Sequence, residues 1–423
     1  MTEIGIRGAK ILDPLRGTQE TADILIRDGR IVAIGEQLDE SSCGRILEAS
    51  GLTLAPGFVD VHVHFRDPGL TYKEEIRTGA AAAAAGGFTT VICMANTKPV
   101  ADNPETLSYI LEKGRETGIH VLACAAVTKG MNGQELTDME ELRRLGAAGF
   151  TDDGKPILDT VLLREAFVRA ARLDVPVSLH EEDPALIADN GINRGAVSEK
   201  LGIGGSPAEA EISMVERDCL LAEETGARVN IQHISTAGAV EAVRRSKRRG
   251  SHVTAEAAPH HFTLTEDAVL EYGTLAKMNP PLRTERDRLA VIEGLKDGTI
   301  DMIATDHAPH SAEEKKLPLT EAPSGIIGLE TAFALGVTQL VKPGHLSLME
   351  LMEKMSRNPA RLYGLPYPGI AVGAPADLVL FDENEEWIVE HFHSRSANSP
   401  FLGKKLSGRV RYTLCGGKVV YEV

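Results

Sequence analysis

Cysteine and aromatic residues are scarce in this chain, and positive charge is outnumbered. Its 423 residues include five cysteines, at positions 43, 93, 124, 219 and 415, an odd and scattered set with no paired spacing. That argues against a disulfide framework and points to a reducing compartment. No basic, apolar segment of signal type opens the sequence, and no apolar run reaches the ~20 residues of a membrane span. We therefore expect a cytoplasmic protein. Lys and Arg total 45 against 61 Asp and Glu, a net charge of −16. An acidic surface disfavours nucleic acid and anionic membranes as partners. The single basic run, residues 244–249, has no interleaved aromatics and reads as the solvated last turn of a helix.

What the chain does have is 43% hydrophobic and 25% charged residues, as in a globular protein with a large core. The length suits one large barrel plus a smaller appendage. Residues 22–26 and 30–35, around Asp28-Gly29, predict a hairpin. Near the other end, 376–381 predicts a strand, and 410–415 and 418–421 flank Gly416-Gly417 as a second hairpin. Both ends are β, so a small β-sandwich domain built from 1–52 and 366–423 is expected around an inserted domain, 53–365.

The middle alternates strands and helices, which predicts parallel βαβ units. Eight strands are expected, at 57–65, 89–96, 120–128, 147–152, 175–181, 228–235, 251–258 and 300–306. Between them, the alanine run 80–85 ends at Gly86-Gly87 and Asn103-Pro104 starts a helix. Ser206-Pro207-Ala208-Glu209 has the pattern of a capping box. Eight such units predict an α/β fold of the TIM (β/α)8 barrel type.

In such barrels the active site lies at the C-terminal ends of the strands. Five of the eight predicted strands end in a metal-ligand residue type. The first ends in Asp60-Val61-His62-Val63-His64, where alternation sends His62 and His64 to one face, with Arg66 two residues on. The fourth ends in Asp152-Asp153, the fifth in His180, the sixth in His233 and the eighth in Asp306-His307. Singly, each is a satisfied core histidine or a helix N-cap. Together, at the same end of five strands, they predict a metal centre. Four imidazoles and two carboxylates suit zinc or a similar divalent ion. Six ligands exceed the three that usually hold one catalytic zinc, so we expect two ions with one carboxylate bridging.

Three stretches carry a resemblance that extends over the whole chain. They are Pro56-Gly57-Phe58-Val59-Asp60-Val61-His62-Val63-His64-Phe65-Arg66-Asp67-Pro68-Gly69, then Asn279-Pro280-Pro281-Leu282-Arg283, and Ala304-Thr305-Asp306-His307-Ala308-Pro309-His310 with Lys315 five residues on. The sequence resembles the amidohydrolase superfamily and, within it, the bacterial monofunctional dihydroorotases. The resemblance implies reversible opening of dihydroorotate to N-carbamoyl-L-aspartate in pyrimidine biosynthesis, with two Zn2+ per subunit. It implies His62, His64 and Asp306 on one metal, His180 and His233 on the other, and Asp153 as the bridge. Many relatives use a carboxylated lysine there; Lys155, next to Pro156, reads as a loop residue instead. The resemblance further implies that Arg66, Asn96 and His310, beside His64, hold the substrate carboxylate. Asn279 and the backbone at Ser324-Gly325 then meet the ring amides. Asp306 accepts the proton of the attacking water and passes it to the leaving nitrogen. The expected partner is a small-molecule substrate, in a homo-oligomer that associates with aspartate transcarbamoylase.

Two rivals remain in view. A hydantoinase or allantoinase shares the fold and His62/His64 without needing the Arg66, Asn96 and His310 group. An inactive scaffold subunit should have lost metal ligands, all six of which are present. His260 and His261 read as structural or substrate-shell residues, and His307 points away from its neighbour Asp306. Glu181 and Glu182 either orient His180 or sit in a loop. His120, His252, His345, His391 and His393 have no motif around them. Residues 311–323 form either a lid or an exposed loop. Gly202-Ile203-Gly204-Gly205 lacks a following Gly-Lys-Ser/Thr and reads as a loop, not a phosphate cradle.

Overall fold

The computed structural model describes residues 3–39, 41 and 43–423. The N-terminal segment folds as β1 (Glu3–Asp13), β2 (Thr18–Arg27), β3 (Arg30–Gly35), β4 (Arg45–Glu48) and β5 (Thr53–Pro56). The middle supplies β6 (Phe58–Val63), β7 (Phe88–Cys93), β8 (His120–Ala123), β9 (Phe150–Thr151), β10 (Val177–Leu179), β11 (Val229–Ile231), β12 (Val253–Ala257) and β13 (Met302–Ile303). The C-terminal segment adds β14 (Leu378–Ile388), β15 (Lys405–Cys415) and β16 (Lys418–Glu422).

The two ends of the chain share one eight-stranded sheet in the order β16-β15-β14-β5-β1-β2-β3, with β4 paired to β1. Both expected hairpins form. Their turns need positive φ, found at Asp28 (48°), Gly29 (80°), Gly416 (54°) and Gly417 (71°). The two turns also touch: a Cβ on Gly417 would lie 2.6 Å from Gly29 Cα. Only glycine allows that approach. Ile6, Ile24, Ile26, Ile31, Leu54 and Leu380 pack into the core of this terminal domain.

β6-β7-β8 form one parallel arc and β9 to β13 another. Single bridges, Ala125 to Phe150 and Val63 to His307, close the arcs into an eight-stranded barrel. A buried carboxylate reinforces the closing seam. Asp60, fully buried, accepts the N–H of Thr305 at 3.2 Å and that of His62 at 3.0 Å. Helices fill the connections, and capping chemistry sets several of their starts. Asn103 accepts from the Thr106 N–H with Pro104 in the first turn. The alanine helix (Ile76–Ala85) stops at Gly86, and Gly87 takes φ 89°. No helix among the described residues is long and apolar enough to cross a membrane.

Three expectations need correcting. The barrel strands are shorter than the pattern predicts, two residues each at β9 and β13. Their last residues leave the ladder to turn side chains into the barrel mouth, and Asp306 (φ 48°) and His233 (φ 31°) do so through left-handed backbone. Second, Ser206 does not cap the helix Ala208–Thr225; Pro207 occupies that position. The Ser206 hydroxyl instead donates to buried Glu182 at 2.9 Å, a charge-assisted bond. Third, the basic run does form the last turn of its helix (Ala237–Arg248), but it is paired as well as solvated. Arg244, Arg245, Lys247 and Arg249 pair with Asp297, Glu216, Asp301 and Glu223 on neighbouring segments.

Candidate metal centre

The site grows out of an irregularity in β6. Asp60 pairs with Val91, but Val63 pairs with Cys93, so β6 carries one extra residue between them. A bulge of this kind reverses the side-chain parity. Val59 and Val61 therefore join the barrel-interior cluster with Ile92, Met94 and Met302, while His62 and His64 turn into the mouth above it. Tyr363 closes the cluster from below, its hydroxyl 2.9 Å from Ser178 Oγ.

Two ligand groups meet on one carboxylate. His62, His64 and Asp153 form the first; Asp153, His180 and His233 form the second. Asp153 Oδ1 lies 3.4 Å from His62 Nε2 and 3.9 Å from both His180 Nδ1 and His233 Nε2. Asp153 Oδ2 lies 3.5 Å from His64 Nε2. Asp306 Oδ1 stands 2.9 Å from His64 Nε2 and 3.5 Å from His62 Nε2, beside the first group. All six residues are buried.

The outer nitrogens determine what the inner ones present. His62 Nδ1 lies 2.9 Å from Glu256 Oε1, His64 Nδ1 2.9 Å from Asn96 Oδ1, and His180 Nε2 3.3 Å from Glu182 Oε2. Glu256 and Asn96 offer acceptor oxygens, so His62 and His64 donate outward through Nδ1 and leave Nε2 facing the centre of the site. Inward stand two carboxylates. Burial alone would raise Asp153 and Asp306; the imidazoles around them, His62 first, hold both well below the usual carboxylate range. Imidazole nitrogens and carboxylate oxygens facing each other in a buried site are held together by a shared positive charge, a proton or a metal ion. His62 Nε2 has no hydrogen-bond partner among the described residues, as a ligand atom would. The N and O donors fit a divalent ion of the zinc class.

Of two supports, one escaped the sequence and the other was an open alternative there. Glu256, at the end of β12, is 194 residues from His62. Glu182, held out as one option for His180, accepts from Ser206 and lies 3.8 Å from buried Arg283. Arg283 also donates to the Ser206 carbonyl at 2.6 Å and to Asn193 Oδ1 at 2.9 Å. It thereby places its charge beside the carboxylate that neighbours His180. The neighbouring Glu181 faces away, where burial and Asp218 push its carboxyl well above the usual range. Glu256→Gln keeps the shape but removes the charge that strengthens His62 as a donor. Metal affinity should fall by about 10- to 100-fold, read by competition with a chromophoric chelator; unchanged affinity removes the positioning role.

Above the ligands lies a pocket of about 120 Å³ lined by His64, Arg66, Asn96, Asn279, Ser324 and Gly325, among others. No lysine lines it, and Lys155 is exposed. Arg66 reaches it by a different route from strand alternation. β6 has ended at Val63, and Arg66 turns in with φ 60°, its Nε donating to the Pro309 carbonyl at 3.3 Å. It forms no ion pair among the described residues. Asn96 spans the ligands, its Nδ2 donating to Asp153 at 3.2 Å. Asn279 Nδ2 lies 3.2 Å from His180 Nε2. Gly325 has φ 109°, and a Cβ there would come within 2.6 Å of Ala308 Cβ. His310 lies behind this rim, with Nε2 2.9 Å from the Ser324 carbonyl and Nδ1 3.3 Å from Lys73 Nζ. Its burial, with Arg66 and two lysines nearby, keeps the ring neutral.

Other candidates find structural partners. His307 Nε2 faces Glu74 at 3.3 Å. His261 Nε2 donates to the Pro280 carbonyl at 3.0 Å. His260 is buried against His261 and has no partner for Nε2 among the described residues. In the 311–323 segment, Ser311 and Glu314 cap the short helix Ala312–Lys315. Lys315 donates to the Thr274 and Pro323 carbonyls, and Lys277 to that of Ala322, so two lysines tie the segment down.

Solved structures of hydantoinases share this fold over nearly their whole length. An L-hydantoinase (dihydropyrimidinase) from Arthrobacter aurescens superposes with a TM-score of 0.89 at 26% identity, covering 100% of this chain and 96% of its own. A D-hydantoinase gives 0.86 at 25% identity, covering 100% and 95%. Fold and site thus define a cyclic amide hydrolase of the amidohydrolase superfamily. The Dihydro-orotase-like family model matches residues 51–239. Dihydroorotase of Clostridioides difficile (strain 630) is 56% identical over 417 residues, 99% of each chain. Those of Clostridium acetobutylicum and Lactococcus lactis subsp. lactis are each 50% identical, over 99% of both chains. The chain belongs to the dihydroorotase family.

Proposed function

We propose that this protein reversibly hydrolyses dihydroorotate to N-carbamoyl-L-aspartate, a step of pyrimidine biosynthesis, using two zinc ions. The observation that carries the substrate is Arg66, a guanidinium without an ion-pair partner in the same pocket as the ligand groups. Burial disfavours its charge, so a carboxylate is its natural complement. Dihydroorotate brings one carboxylate; hydantoin brings none.

On this reading His62, His64 and Asp306 hold one ion, His180 and His233 the other, and Asp153 both. Zinc bound there supplies an acidified water and polarises the ring carbonyl. Arg66, Asn96 and His310, with His64, orient the substrate carboxylate. Asn279 and the backbone at Ser324-Gly325 take the ring amides. Asp306 accepts a proton from the attacking water and returns it to the leaving ring nitrogen, serving as base and then acid. The division into 1–52 with 366–423 and 53–365 belongs to the same reading. So do a cytoplasmic location, a homo-oligomer and association with aspartate transcarbamoylase.

The test is a paired assay on zinc-supplemented protein, following dihydroorotate and hydantoin separately, each with and without chelator. Chelator-sensitive turnover of dihydroorotate alone supports the reading; turnover of hydantoin alone overturns the substrate. Arg66→Met supplies a sharper check. Losing a buried charged partner costs on the order of 2–4 kcal/mol, about 30- to 1000-fold in kcat/KM. The loss should fall mainly on KM, with metal content unchanged.

A further inference from the structure

At the opposite end of the barrel, three chemically distinct ligands converge from separate parts of the chain. His120 is the first residue of β8, at the barrel's N-terminal rim. Asp377 immediately precedes β14, and Cys415 is the last residue of β15. His120 Nε2 lies 3.1 Å from Asp377 Oδ2, and Cys415 Sγ completes a triangle whose corners all lie within 4.8 Å.

We propose that His120, Asp377 and Cys415 form a structural site for a divalent transition metal of the zinc class, separate from the catalytic centre. One imidazole, one carboxylate and one thiol make a borderline donor set of the kind zinc accepts. Bonds of ~2.0–2.3 Å in a tetrahedral site separate neighbouring ligands by roughly 3.3–3.8 Å. The His120–Asp377 edge, at 3.1 Å, is close to that spacing, the other edges lie within 4.8 Å, and the His120 side chain, 52% exposed, has room to adjust.

The remaining contacts leave the donors available. The Gly416 N–H donates to Asp377 Oδ1 at 2.6 Å, which fixes the carboxylate and turns Oδ2 to His120. The thiol's contact with the Thr89 carbonyl is long, at 3.7 Å. Cys415 is buried, while His120 borders open grooves on both sides, so an ion can enter from solvent and keep one position for water. His120 belongs to the barrel; Asp377 and Cys415 belong to the terminal sheet. A metal here clamps one to the other, stabilising the folded chain as any ligand specific to the native state does.

The experiment uses metal-stripped, full-length protein titrated with Co2+, beside Cys415→Ser and His120→Ala. The catalytic ligand set contains no thiol, so a thiolate-to-cobalt charge-transfer band that disappears in Cys415→Ser reports on this site. We expect the band in the wild type and its loss in Cys415→Ser. After zinc loading and dialysis, each variant should hold one metal equivalent fewer per chain, with catalytic turnover unchanged. Absence of the band in cobalt-loaded wild type, its persistence in Cys415→Ser, or equal zinc content in all three proteins would overturn the proposal and leave only a His120–Asp377 ion pair.

Discussion

Asp306→Asn is expected to fold, to keep its metal and to lose about 10³-fold in kcat, within the ~10²–10⁴ range of general acid–base catalysis. The carboxylate is buried against two imidazoles, 2.9 Å from His64 Nε2 and 3.5 Å from His62 Nε2. Those rings outweigh the burial that would otherwise raise it, so it stands ionised and able to accept a proton. An amide of the same shape retains an oxygen for the metal but takes up no proton. A 10³-fold loss is about 4 kcal/mol of barrier. The measurement is kcat alongside metal content on the same samples. Near-normal turnover with full metal content refutes the proton-transfer role.

The second large effect separates two neighbours. Asp153→Ala should lose metal and fall to background turnover, because both ligand groups share that carboxylate. Asp152→Ala should keep metal and lose stability instead. Asp152 Oδ1 accepts the N–H groups of Val127 (2.8 Å) and Thr128 (3.1 Å), and Oδ2 accepts the Thr128 hydroxyl. Stranding buried donors costs about 1–3 kcal/mol, visible as a lower denaturation midpoint. Metal analysis and chemical denaturation of the pair decide the matter. A metal-replete, active Asp153→Ala protein would show that the two groups do not depend on a shared bridge.

That pair also shows where sequence reasoning stops. Asp152 and Asp153 are adjacent and chemically identical, and only the family resemblance chose between them. In the fold, one faces the loop after β8 and the other faces four imidazoles. Glu256 is a similar case: a glutamate in an apolar strand announces nothing until closure of the barrel sets it against His62. His120 had no motif around it because its two neighbours arrive from more than 250 residues away.

By itself, the sequence determined whatever depends on near neighbours. Asp28-Gly29 and Gly416-Gly417 specify tight hairpins because the turn needs positive φ. The alternation of strand and helix patterns specifies parallel units, and the ligand residue types sit at the strand ends in plain view. Tertiary structure decided the rest. The bulge that turns His62 and His64 into the mouth depends on pairing with β7. The left-handed backbone at Arg66, His233 and Asp306 is held only by surrounding packing. Local propensity acts over a few residues, whereas the partners that aim, charge and orient these side chains are brought together only when the barrel closes.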